Sequence, residues 1–272
     1  EFRRVLFRSI LPADDKNKTI ESLNHIWSKL SSSGATRHSL LINLGGGMVT
    51  DIGGFAAATF KRGIKYINIP TTLLGAVDAA VGGKTGINFG GYKNEIGAFH
   101  PSKRVIISTG FFHTLDHKAI LSGYAEMIKH ALIHSAADLE KLLNFPLDNI
   151  DYTQLNELVY RSVEIKRGIV ERDPFEKNIR KALNLGHTTA HAFESFALSA
   201  NNPVPHGYAV AWGLIVELYL SYRICNFSKE KLQKTVNFIQ KNYGSLPISC
   251  DHYETLYDIT KHDKKNQGDK IN

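Results

Sequence analysis

The chain breaks abruptly at one point. The apolar run from Ser39 to Leu44 stops at three consecutive glycines, Gly45, Gly46 and Gly47. A helix-compatible segment follows from Met48 to about Lys61, and a second strand pattern, Tyr66-Ile67-Asn68-Ile69, comes after it. Strand, glycine turn, helix and strand make a βαβ unit. Glycines in such a turn let the backbone approach a ligand closely, and the free N–H groups of the next helix suit a phosphate. The spacing is not the G-x-G-x-x-G of the common dinucleotide fold. A tight packing turn is the competing explanation for the glycines.

Further polar residues crowd the same region. Thr50 and Asp51 follow the glycines, Pro70-Thr71-Thr72 closes the second strand, and Asp78, Gly82-Gly83-Lys84, Asn88, Lys93 and Asn94 fill the next turns. Three long patterns emerge: GGGxxxDxxGFxAxxxxRG from Gly45, PTTLLxxxDxxxGGKTxxN from Pro70 and GxKNxIGxF from Gly91. In these the chain resembles the sugar-phosphate cyclases, and within them the 3-dehydroquinate synthase family. The resemblance runs on to about Gly268.

Composition narrows the class. A chain of 272 residues holds one large or two ordinary domains. With 43% hydrophobic and 22% charged residues it reads as an ordinary globular protein. No apolar run approaches the roughly 20 residues of a membrane helix, and nothing reads as a signal peptide. Two cysteines, Cys225 and Cys250, give neither a disulfide framework nor metal spacing, which fits a cytoplasmic setting. The formal charge is +7, but the basic residues are scattered. That pattern fits a solvated surface and a site for an anionic small molecule, not a nucleic-acid or membrane partner.

Residues 1–9 carry three arginines, do not match the family, and are set aside as an artefact of cloning or translation. Family members begin earlier and end later, so truncation at both ends is expected. After the strand pattern Arg104–Ser108 and the Phe111–Leu115 turn, the character changes to helical periods separated by Gly, Pro and Asn. The expected fold is an α/β nucleotide-binding domain, Rossmann-like with a parallel sheet, over residues 10–115. An all-helical metal- and substrate-binding domain is expected over 116–272.

In the helical half, Ser122 reads as the cap of a helix that puts Glu126, Lys129 and His130 on one face. His187 and His191 stand at i and i+4, a zinc-helix spacing, although Thr188 occupies the place of a metalloprotease glutamate. Spacing alone would pair those two histidines as ligands. The resemblance instead implies Glu126, His187 and His206 as ligands of zinc or cobalt, with His191 on the substrate. Two histidines, one glutamate and an open position suit catalytic zinc.

Lys166 falls on a stripe with Val159, Val163 and Val170 of a helix expected from about Asp151 to Arg172. A lysine there either snorkels to water or points at a site. The resemblance makes Lys166 a substrate residue, followed by Arg180 and Asn184 on the next helix.

The resemblance implies conversion of 3-deoxy-D-arabino-heptulosonate 7-phosphate to 3-dehydroquinate and phosphate, with NAD oxidising and then re-reducing one hydroxyl carbon. It implies a cofactor set of Asp15, Lys18, Gly46, Gly47, Thr50, Asp51, Thr71, Thr72, Lys84, Lys93, Phe111 and Thr114. Lys84, Asn94 and Arg62 would hold the phosphate, and Arg180 and Asn184 the carboxylate. Asp78, Lys129, Lys166 and His191 would hold the hydroxyls. Arg62 has an ordinary reading as a cation near a helix C-terminus. The resemblance has it reach a partner subunit's substrate, so a homodimer is expected. Three rivals stand beside this reading. A cyclase of sedoheptulose 7-phosphate has no use for Arg180 and Asn184, and a glycerol-type dehydrogenase has none for the lysine array. A truncated copy without activity is the third.

Overall fold

The computed structural model describes residues 7–90 and 92–261. Part of the leader set aside above, Gly91 of the third pattern and the stretch from residue 262 lie outside the described residues. The chain divides into two compact units, one ending at Thr114 and one beginning at Leu115.

In the first unit, Thr19 caps α1 (Ile20–Ser32), its hydroxyl accepting from the Ser22 N–H. Leu23 and Ile26 on the inner face of α1 pack with Ile52, Phe55 and Ala56 of α2 (Gly47–Thr59) and with Ile87. The strands β1 (Leu40–Gly45), β2 (Lys65–Pro70) and β5 (Arg104–Val105) form a parallel sheet in the order β1-β2-β5. Between β2 and β5, β3 (Lys84–Phe89) and β4 (Tyr92–Phe99) pair as an antiparallel hairpin. The strand expected over Arg104–Ser108 is thus paired as a strand for two residues, although the Ile106 N–H still donates to Asn68 O. β1 buries Asn43 and exposes Leu40, Ile42 and Leu44, the reverse of the usual alternation. The buried amide is satisfied across the sheet: Asn43 donates to Asn68 Oδ1 at 2.9 Å, and Asn68 donates to the Ala80 carbonyl at 3.2 Å.

The second unit is helical among its described residues. Its centre is α3 (His117–His134), which buries every residue from Ile120 to Ala131, the signature of a helix surrounded by others. Against it pack α4 (Ala136–Leu143), α5 (Tyr152–Arg172) and α7 (His206–Cys225), and α7 in turn packs on α6 (His187–Ser199) and α8 (Lys229–Tyr243). A short α9 (Tyr253–Lys261) rests on α6. The Ser122 cap is corrected here. Asp116 caps α3, accepting from the Ala119 N–H at 2.7 Å, and Ser122 lies inside the helix. The helix starts earlier because an aspartate precedes a run of helix formers, so the chain has no reason to wait for Ser122. No helix among the described residues is long and apolar enough to cross a membrane.

Candidate active site

The second unit brings three distant residues together. One ligand atom each from Glu126 on α3, His187 at the start of α6 and His206 at the start of α7 lie within 4.8 Å of one another. Both histidine Nε2 atoms stand 3.3 Å from Glu126 Oε1. Lys129, one turn along α3, sits on Glu126 Oε2. Both carboxylate oxygens are fully buried. A buried carboxylate facing two imidazole nitrogens is a donor set that fits a divalent cation.

The three groups also shift one another electrostatically. Burial opposes the charged form of Glu126, but Lys129 and then His187 outweigh it and hold the carboxyl well below its ordinary range. Burial pushes His187 down to about 4, although Glu126 pulls the other way. Burial also opposes the charged form of His206, but contacts with Glu126 and then Glu194 hold it up at about 10.

Local packing sets this geometry. Gly186, the N-cap of α6, has φ +82, and a Cβ on Gly213 of α7 would fall 2.1 Å from its carbonyl oxygen. The two helices therefore touch through backbone. Glu217, one turn on from Gly213, accepts from the Gly186 N–H at 2.6 Å and the Thr189 N–H at 3.4 Å. A carboxylate thus serves the α6 N-terminus, whose own cap supplies no side chain.

The other expected residues of this unit fall as follows. His191 stacks edge-on to His187 with ring centroids 5.8 Å apart, and it is not one of the three converging ligands. Lys166 is 6% exposed, on a buried stripe through Leu155, Val159 and Ser162, whereas Val163 and Val170 lie on its flank. It is therefore not a snorkelling lysine. Arg180 and Asn184 lie on a short 3₁₀ segment, Ile179–Asn184, not on an α-helix. Asp173 organises that approach, its carboxylate accepting the N–H groups of Lys177, Asn178 and Arg180 at 2.9, 2.7 and 3.0 Å. Arg180 Nη1 donates to Pro174 O at 2.6 Å, and Asn184 donates to Glu176 Oε1 at 2.6 Å. Glu176 has φ +56, a left-handed backbone that glutamate rarely adopts.

Sequence reasoning missed Asp173, Glu176, Glu194 and Glu217. Two signals were present. Glu194 follows His187 and His191 at i+7 and i+3 on one helix face, and Glu217 is the one acid of the largely apolar α7.

In the first unit, α2 begins at the glycine turn with no side-chain cap, which leaves its first N–H groups for an anion. Packing also claims these glycines: a Cβ on Gly46 would lie 3.2 Å from Thr72 Cγ2, and one on Gly47 3.1 Å from Ala79 Cβ. Thr72 Oγ1 accepts from the Gly75 N–H at 3.0 Å, and the Thr71 N–H donates to Gly45 O at 2.9 Å. Asp78 lies on the π-helical turn Gly75–Ala79, and Lys84 opens β3. Thr50 is buried and donates to Gly47 O at 3.0 Å.

Beside this turn, Lys18 is buried with its ammonium donating to both Asp51 and Asn94. Burial raises the Asp51 pKa, Lys18 opposes that, and Asp78 and Asp15 add to it. Asn88 donates to Asp15 O at 3.2 Å and accepts from the Asn94 N–H at 2.9 Å, while Lys93 stands 3.9 Å from Asp15. Asp15, Lys18, Asp51, Lys93 and Asn94 thus form one network. Phe111 and Thr114 sit in the turn closing the unit, where Thr114 donates to Phe111 O at 3.1 Å. Arg62 keeps its place near a helix C-terminus, in the last turn of the short 3₁₀ segment Phe60–Arg62 that follows α2. α2 ends at Thr59, and Lys61 and Arg62 follow in left-handed conformations with φ +49 and +67.

Known proteins place this architecture. The 3-dehydroquinate synthase N-terminal profile matches residues 8–122, and the C-terminal profile of the same family matches residues 123–266. The chain is 56% identical over 263 residues to a 3-dehydroquinate synthase of Parabacteroides distasonis, covering 97% of this chain and 74% of that one. It is 36% identical over 269 residues to one of Streptococcus pyogenes, with the same coverage. Among solved structures, a 2-deoxy-scyllo-inosose synthase complexed with carbaglucose-6-phosphate, NAD+ and Co2+ shares the fold. It superposes with a TM-score of 0.83 at 23% identity, over 96% of this chain and 71% of that one. A 2-epi-5-epi-valiolone synthase from Streptomyces hygroscopicus, with NAD+ and Zn2+ bound, gives 0.75 at 27% identity, over 93% and 72%. The fold is that of the sugar-phosphate cyclases. Within that class, the chain belongs to the 3-dehydroquinate synthase family.

Proposed function

We propose that this chain converts 3-deoxy-D-arabino-heptulosonate 7-phosphate to 3-dehydroquinate and inorganic phosphate. The observation that carries the reading is the convergence of Glu126, His187 and His206 in a chain so close to curated members of this family. These three would hold the divalent ion, zinc or cobalt. The uncapped start of α2 at Gly46 and Gly47, with Thr71, Thr72, Asp51, Lys18 and Asp15, would hold NAD. When bound, the nicotinamide accepts and returns a hydride while the metal polarises the oxygen on that carbon.

The chain's own residues would do the rest. Lys129 locks Glu126 through Oε2 and leaves Oε1 toward the histidines. Arg180 and Asn184 would bind the substrate carboxylate, pre-positioned by Asp173 and Glu176. That pair favours a carboxylated substrate over the sedoheptulose phosphate of a related cyclase. Lys166, His191 and Asp78 would orient hydroxyls, and Lys84, Asn94 and Arg62 the phosphate. Such fixed groups act by orientation and charge. Arg62 would act across a homodimer. The exposed free thiols of Cys225 and Cys250 support a reducing, cytoplasmic setting.

The test is phosphate release from the heptulosonate phosphate, with NAD and with or without chelator. Release that stops on chelation and returns with Zn2+ or Co2+ is expected. No release under any of these conditions overturns the reading.

A further inference from the structure

Each histidine of the cluster uses its second nitrogen differently. His187 Nδ1 faces the Leu185 carbonyl oxygen at 3.2 Å. His206 Nδ1 faces Glu194 Oε2 at 3.4 Å. In both rings an acceptor at Nδ1 makes that nitrogen the donor, so Nε2, 3.3 Å from Glu126 Oε1, is the nitrogen that would serve a cation held beside Glu126. A neutral carbonyl does this for His187 and a carboxylate, 8% exposed, for His206. Hydrogen bonding of a histidine ligand to a carboxylate fixes its tautomer and raises its basicity.

We propose that Glu194 is a positioning residue for His206, holding its Nδ1–H so that Nε2 is presented to a divalent cation shared with Glu126 and His187. The inference rests on the metal reading above and deepens it.

The test uses the full chain and the variants E194Q and E194A, each first compared with the parent by circular dichroism. Zn2+ affinity is measured by competition with a chromophoric chelator. About tenfold weaker binding is expected for E194Q, which keeps an acceptor, and about a hundredfold for E194A, the range known for such outer partners. In the Co2+-loaded parent, proton NMR should show two exchangeable, strongly shifted imidazole N–H resonances, one per histidine. E194A should lose one of them to solvent exchange, a change that general destabilisation would not produce. Should E194A fail to fold, E194Q carries the test through its affinity and the exchange rate of the same proton. A folded variant that binds Zn2+ within twofold of the parent and keeps both resonances overturns the role of Glu194 alone. A parent that takes up neither Zn2+ nor Co2+ overturns the metal reading and this inference with it.

Discussion

Gly207 lies directly against Ser122: a Cβ on Gly207 would fall 2.0 Å from the Ser122 carbonyl oxygen and 2.4 Å from its Cα. The Gly207 N–H donates to Ser122 Oγ at 3.1 Å. His206 is the residue before Gly207, and Glu126 lies one helical turn beyond Ser122, so this contact sets the distance between two of the converging ligands. Gly207→Ala should cost about 3 kcal/mol, since backbone cannot yield as a flexible side chain does. Thermal unfolding reads the loss, and metal analysis should show weakened uptake. An unchanged melting temperature contradicts the contact.

Glu126→Gln should abolish metal uptake while NAD retention stays near the parent level, because the residues proposed for the nucleotide belong to the first unit. Metal analysis beside equilibrium dialysis with NAD distinguishes the outcomes. Equal loss of both ligands would point to unfolding.

Glu217→Ala should loosen the start of α6. It removes charge-assisted acceptors from the Gly186 and Thr189 N–H groups, worth on the order of 2 kcal/mol. Amide hydrogen exchange at Gly186 and Thr189 should accelerate by more than tenfold while the α3 amides stay protected. Unaltered exchange at Gly186 rules out the clamp.

Asp138 predicts an acid response. Arg161 holds it through two hydrogen bonds at 3.0 and 3.1 Å, and Ser135 and His134 add contacts at 2.7 and 2.5 Å. The Arg161 bonds, against the effect of burial, hold its carboxyl well below the usual range. A folded pKa below the unfolded value of about 3.9 means that the stabilisation is complete above about pH 5. It is lost as pH falls toward the folded pKa. Asp138→Asn should therefore destabilise at pH 7 by about 1–2 kcal/mol and narrow that gap in strong acid. Denaturant melts at several pH values test this, and a gap that widens in acid would reverse the sign.

Arg62 tests assembly. Arg62→Ala and His187→Ala subunits, each inactive alone, should recover part of the activity when mixed, because one site of a mixed dimer keeps both residues. Mixed dimers without activity would confine Arg62 to its own subunit.

Much of this protein was legible in the chain. The break at Gly45–Gly47, the stripe of α5 and the i, i+4 spacing of His187 and His191 are local patterns, and local patterns are written in consecutive residues. So were the residue types of the site: Lys166 stood out because a lysine interrupted an apolar stripe, and the structure buries it. Tertiary structure decided which of these residues meet. His191 was as good a partner for His187 by spacing as His206, yet α7 lies on α3 through Gly207 and carries His206 to Glu126. Glu194 and Glu217 act on a ring and on helix N–H groups that belong to other helices, so their own helices mark them as unusual acids without naming what they meet. Ser122 misled because a good capping residue inside a helix looks the same in sequence as one at its start. Sequence fixes propensity and period along one element, whereas the approach of two elements depends on which side chains are small enough to let their backbones touch.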